Sequence, residues 1–120
     1  MSHKILAVDD DLYILELYKA LFSEEGFIVE TAEDAVGAMA KHNDFKSDLL
    51  ILDVDMPGGG GQAVFAHVRR ALDVCTPVIF STGAAEGVAH LKDSPRVAIL
   101  KKPVECGRLL AEVKRLLGAN

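Results

Sequence analysis

Five short apolar runs alternate with stretches whose apolar residues recur every three or four positions, from one end of the chain to the other. The runs are Ile5–Val8, Ile28–Thr31, Leu49–Leu52, Val78–Ser81 and Val97–Leu100. The first, third and fourth are continuously apolar, as strands covered on both faces of a parallel sheet are. Between the runs, Ile14, Leu17, Tyr18, Leu21 and Phe22 keep the spacing of one helix face, and Gly26 supplies a stop. Val36, Met39 and Ala40 predict a shorter second helix, and Val64, Phe65, Val68 and Leu72 a third. Leu109, Leu110, Val113, Leu116 and Leu117 predict a strong last helix, ended by Gly118. The alanine- and glycine-rich stretch from Gly83 to Arg96, with Ser94-Pro95 near its end, predicts a short or irregular helix. Strands alternating with helices in this way imply right-handed crossovers and an α/β, doubly wound parallel sheet. For five strands the order that fits is 2-1-3-4-5, with its functional crevice at the carboxyl ends of the strands, where strands 1 and 3 part.

The chain has 120 residues, half of them hydrophobic, which suits one core and one domain spanning residues 1–120. Its net charge of -5 offers no field for a polyanion, so direct nucleic-acid binding is not expected. No apolar run approaches the roughly 20 residues of a membrane span. Met1-Ser2-His3-Lys4 opens no signal-peptide core, so a cytoplasmic location is expected. Cys75 and Cys106 make no disulfide framework, and His3, His42, His67 and His90 lack ligand spacing.

The chemistry gathers at the strand ends. Strand 1 ends in Asp9-Asp10-Asp11, strand 3 in Asp53-Val54-Asp55-Met56-Pro57, strand 4 in Ser81-Thr82-Gly83 and strand 5 in Lys101-Lys102-Pro103. Singly, each has an ordinary reading: a solvated turn, a helix cap (Asp11 before Leu12), a surface strand end. The sheet order, however, puts strands 1, 3, 4 and 5 side by side, so Asp9 and Asp10 face Asp53, with Thr82 and one lysine opposite. Two carboxylates about 5 Å apart at an effective dielectric of about 20 repel by roughly 3 kcal/mol. A hard divalent cation with oxygen ligands, magnesium above all, would explain why they are kept. A lysine and a hydroxyl across from it would complete a clamp for phosphoryl transfer to a carboxylate. Lys102 is the better candidate of the two lysines, because strand residues alternate faces and the peptide before a proline is constrained. Gly58-Gly59-Gly60-Gly61 is not followed by Gly-Lys-Ser/Thr, so it is no nucleotide-binding P-loop.

In order, type and strand position these motifs resemble the receiver domain of bacterial two-component response regulators, over essentially the whole chain. The resemblance implies a flavodoxin-like receiver fold, with Asp53 as phosphoacceptor. It implies Asp10 as the main metal-binding residue with Asp9 beside it, and the backbone carbonyl of Asp55 as a further magnesium ligand. Thr82 corresponds to the switch hydroxyl, Gly83 to the small residue that leaves room for phosphate, and Lys102 to the lysine that pairs with the phosphoryl oxygens. Pro103 would follow a cis peptide bond, and Gly61 would precede the third helix. The implied partners are a sensor histidine kinase or phosphotransfer protein, and downstream a protein target or an output domain. Such a protein catalyses its own phosphorylation and dephosphorylation without being a conventional turnover enzyme.

Two departures stand out, one of them the segment between Thr82 and Lys102, which is compact and poor in helix formers. The family's aromatic switch position on strand 5, three before the lysine, is Ile99 here. Other readings differ in what they require. A haloacid dehalogenase-like phosphohydrolase would use Asp53-Val54-Asp55 as its Asp-x-Asp motif, but that family carries it on the first strand. A flavin-binding protein would need an anion-friendly switch point and an aromatic to stack on the ring. A non-phosphorylated interaction module would not need the Asp9, Asp10, Asp53, Thr82 and Lys102 set. Whether the receiver stands alone or belongs to a longer regulator stays open.

Overall fold

Backbone pairing decides where the strands end, and it carries four of them one residue past their apolar runs. The computed structural model describes residues 2–55, 65–66, 76–83 and 96–118. Its strands are β1 (Lys4–Val8), β2 (Ile28–Ala32), β3 (Leu49–Asp53), β4 (Val78–Thr82) and β5 (Val97–Lys101). All pair in parallel, in the order β2-β1-β3-β4-β5. Asp53 joins β3 because it stands in register with Ser81, and Lys101 joins β5 opposite Thr82. The expected sheet order is the observed one, and polar residues at the strand ends become part of the ladder.

The described helices are α1 (Leu12–Glu24), α2 (Ala35–Phe45) and α3 (Cys106–Leu117). Each begins on a carboxylate that accepts orphan amides: Asp11 from Tyr13, Asp34 from Gly37, and Glu105 from Gly107 and Arg108. Gly118 ends α3 at φ 69°, a left-handed conformation that suits a residue without Cβ.

Alternation along the strands divides the core in two. Ile5, Ala7, Leu49, Ile51, Ile79 and Leu100 face α1 and α3. Leu6, Val8, Leu50, Leu52, Val78 and Phe80 face the side covered by α2, where Phe65 also packs edge-on against Phe80 at 5.4 Å. One helix face follows expectation but for one residue, and the other differs. On α1 the expected Tyr18 and Phe22 are buried and Ile14 and Leu21 pack against the core, joined by Leu15, while Leu17 is half exposed. Leu12 and Tyr13 are exposed as well. On α2, Ala35, Ala38 and His42 are buried while Val36 and Ala40 are exposed. Small alanines let this helix lie close to β1 and β2, and its weak contrast in polarity hides the inward face. Most of the helix expected around Val64–Leu72, most of the Gly83–Arg96 stretch and the Gly58–Gly61 run lie outside the described residues.

Candidate functional site

The carboxyl ends of β1, β3, β4 and β5 deliver their polar side chains to one rim. Asp9, next after β1, and Asp53, last in β3, are each 1% exposed, whereas Asp10 faces solvent. Ligand oxygens of Asp9, Asp10 and Asp53 lie within 4.8 Å of one another. One oxygen of each buried carboxylate is held. Asp9 Oδ1 accepts from the Asp11 amide at 2.9 Å. Asp53 Oδ1 accepts from the Asp55 amide at 2.9 Å and from Lys102 Nζ at 2.9 Å. The ammonium also stands 3.8 Å from Asp9 Oδ2. The other oxygens, Asp9 Oδ2 and Asp53 Oδ2, are buried without a hydrogen-bond partner.

β4 and β5 set the opposite wall. The Lys102 amide donates to the Thr82 carbonyl at 2.8 Å, which locks the two strand ends together, and the Lys102–Pro103 bond is cis. Lys101 is exposed and Ser81 is buried in the sheet. Thr82 is fully buried; its hydroxyl donates to Asp55 Oδ1 at 3.4 Å, and the Gly83 amide donates to Asp55 Oδ2 at 3.2 Å. This use of the Asp55 side chain has no sequence signal, because its partners lie 27 and 28 residues away. Ile99 is half-buried on β5, in register with Phe80.

Burial is the main force on the Asp9 carboxyl and pushes it up to about 6 from 3.8; the Asp11 amide opposes this, the Asp53 charge adds to it and Lys102 counteracts it. For Lys102, burial works downward, but the hydrogen bond to Asp53 and the charges of Asp9, Asp53 and Asp55 prevail and raise the ammonium above 10.5. Beneath the rim, burial and then the Asp9 charge push the Tyr18 phenol up to about 12, so it stays neutral.

The raised Asp9 carboxyl ties stability to pH. A carboxyl that binds its proton more tightly folded than unfolded favours the native state most below pH 4, and loses that contribution as pH rises through 6. Without divalent metal, this site is expected to cost the fold up to about 3 kcal/mol between pH 4 and pH 7. Urea titrations in chelator should show a wild-type decline across that window that Asp9→Asn flattens; equal slopes would refute it.

A hard divalent cation fits this rim. Three carboxylates converge, and the buried Asp9 Oδ2 has no hydrogen-bond partner, which is a donor set such an ion completes. The Lys102 ammonium satisfies only part of the negative charge.

Comparison with known proteins points the same way. Residues 5–114 match the response regulator receiver domain family. The "Transcriptional regulatory protein CpxR homolog" of Haemophilus influenzae is 34% identical over 116 residues, which is 95% of this chain and 50% of that protein. "Response regulator MprA" of Mycobacterium ulcerans is 36% identical over 120 residues, 98% of this chain and 51% of that protein. The chain thus spans about half the length of these curated relatives. Among solved structures, a CheY-like receiver domain protein from Methanospirillum hungatei superposes with a TM-score of 0.87 at 28% identity, covering 98% of this chain and 95% of its own. The chemotaxis response regulator CheY4 of Vibrio cholerae gives 0.87 at 30% identity, covering 97% and 99%.

Proposed function

Because this chain belongs to the response regulator receiver domain family of two-component signalling, we propose that Asp53 is its phosphoacceptor. The phosphoryl group would come, with magnesium present, from the phosphohistidine of a sensor histidine kinase or phosphotransfer protein. On this reading residues 1–120 act as one receiver domain. Asp9, Asp10, Asp53 and the Asp55 carbonyl would hold the magnesium, which would supply positive charge to offset the crowded carboxylates and the phosphoryl oxygens.

The observation that carries this reading is the asymmetry of Asp53. Its Oδ1 is anchored by Lys102 and the Asp55 amide, while Oδ2 is buried and unpartnered. The anchored oxygen orients the carboxylate, and the other attacks phosphorus. As the new O–P bond forms, the P–N bond breaks and its electron pair leaves with the histidine nitrogen. Lys102 and the Thr82 hydroxyl then meet the phosphoryl oxygens. Water later attacks phosphorus, releases phosphate and restores the carboxylate. Incubation with magnesium and acetyl phosphate, followed by peptide mass mapping, should place one base-labile phosphoryl group on Asp53; its appearance on another residue would overturn the assignment.

As a receiver of this family, the domain would meet its kinase in the cytoplasm. No helix among the described residues is long and apolar enough to cross a membrane. Relatives named as regulators are about twice this length. That supports an output carried by a further segment, or by a separate protein target, with any DNA contact made there and not by this acidic domain.

The output movement should be unusual at β5. Ile99 is β-branched, stiff at χ1 and smaller than an aromatic, so it cannot swing into the space a moving Thr82 leaves. Beryllofluoride, a phosphoryl mimic, should therefore shift amides around Asp53, Thr82 and Lys102 by several times more than those around Ile99. Equal shifts at Ile99 and in α3 would show that coupling survives without the aromatic.

A further inference from the structure

The Asp55 side chain is not used in the mechanism above, yet both its oxygens are engaged at the site. Oδ1 takes the Thr82 hydroxyl at 3.4 Å and Oδ2 the Gly83 amide at 3.2 Å. We propose that the Asp55 carboxylate is a stand-in for the phosphoryl group, occupying in the unphosphorylated protein two donors, the Thr82 hydroxyl and the Gly83 amide, that phosphoryl oxygens would take up alongside Lys102. This rests on Asp53 being the phosphoacceptor and adds a brake to it.

Three features of the geometry support the role. Asp55 presents two anionic oxygens to donors on β4, much as two oxygens of a phosphoryl group on Asp53 would. Its own amide is tied to Asp53 Oδ1 at 2.9 Å, so acceptor and stand-in are held in fixed relation. Both contacts are long and the side chain is exposed, so the carboxylate can turn out to water when displaced. A phosphoryl group arriving on Asp53 both repels Asp55 and competes for its donors. The stand-in therefore slows loading while keeping Thr82 and Gly83 aimed at the site.

Two measurements test this. In metal-free protein, Asp55→Ala should speed exchange of the Gly83 amide proton severalfold, because its acceptor is gone; unchanged exchange would remove the contact on which the role depends. At magnesium saturating for each variant, Asp55→Ala should bind beryllofluoride about tenfold more tightly than wild type. In a Thr82→Val background the same substitution should gain about threefold or less, since only the Gly83 amide remains to be released. Equal gains in both backgrounds would mean that Asp55 acts through its charge alone, and would overturn the stand-in role. The acceptor assignment is read separately: if Asp53→Asn binds beryllofluoride as well as wild type does, Asp53 is not the acceptor and the stand-in falls with it. If wild type binds and Asp53→Asn does not, but Asp55→Ala gains nothing, only the stand-in is lost.

Discussion

Asp53→Asn is expected to take up no phosphoryl group from acetyl phosphate or from a phosphorylated kinase, while remaining folded. An amide is too weak a nucleophile to attack phosphorus, so the loss should be complete. The fold should survive because the amide oxygen can still accept from the Asp55 amide and from Lys102, as Asp53 Oδ1 does. Two electrostatic changes then offset one another. The charge-assisted contact to Lys102 weakens, and the repulsion from Asp9, within 4.8 Å, is relieved. The metal-free melting temperature should stay within about 5 °C of wild type, a change of roughly 1 kcal/mol. The magnesium-induced rise in melting temperature should shrink, because one of three carboxylates is gone. Phosphate retained on the variant at any aspartate would place the acceptor elsewhere, and a variant unfolded by calorimetry would show Asp53 to be needed for the fold itself.

Lys102→Ala should give the largest loss of stability of any single change at the rim. The ammonium is 2.9 Å from Asp53 and 3.8 Å from Asp9, whose side chains are 1% and 2% exposed. Removing one partner of a buried charge group typically costs 3–5 kcal/mol. Lys102 itself is 29% exposed, which puts the expected value near the lower end, about 3 kcal/mol at pH 7 without metal. For a domain of this size that lowers the melting temperature by about 10 °C. The deficit should narrow near pH 5, where Asp9, already raised to about 6, takes up a proton and half of the uncompensated charge disappears. It should narrow also in magnesium, since the three carboxylates remain. Phosphoryl uptake should fall even when magnesium restores stability, because no ammonium meets the transferring oxygens. Melting curves at two pH values with chelator or magnesium separate these effects. A variant as stable as wild type in chelator at pH 7 would mean that water, not Lys102, balances the two buried carboxylates.

Local chemistry and the count of elements already settle much of this molecule from its residues. Continuous runs such as Leu49–Leu52 read as strands buried on both faces, and five apolar runs alternating with helix-spaced stretches fit one sheet order at this length. Asp11 and Gly118 mark helix ends because a cap needs only its own neighbours. Once the order is known, Asp9, Asp10, Asp53, Thr82 and Lys102 must meet, since each stands at the end of an adjacent strand. Folding in three dimensions was needed to add Leu15 to the inward face of α1 and leave Leu17 half exposed, and to bring Ala38 rather than Val36 against the sheet on α2, because burial depends on the partner surface as well as on spacing. It also turned Asp55 toward Thr82 and Gly83, and left one oxygen of Asp9 and one of Asp53 without a donor. A side chain's hydrogen-bond partner 27 residues away leaves no periodic trace in the chain, and the field that raises Asp9 exists only where burial strips water from charges that folding brings together.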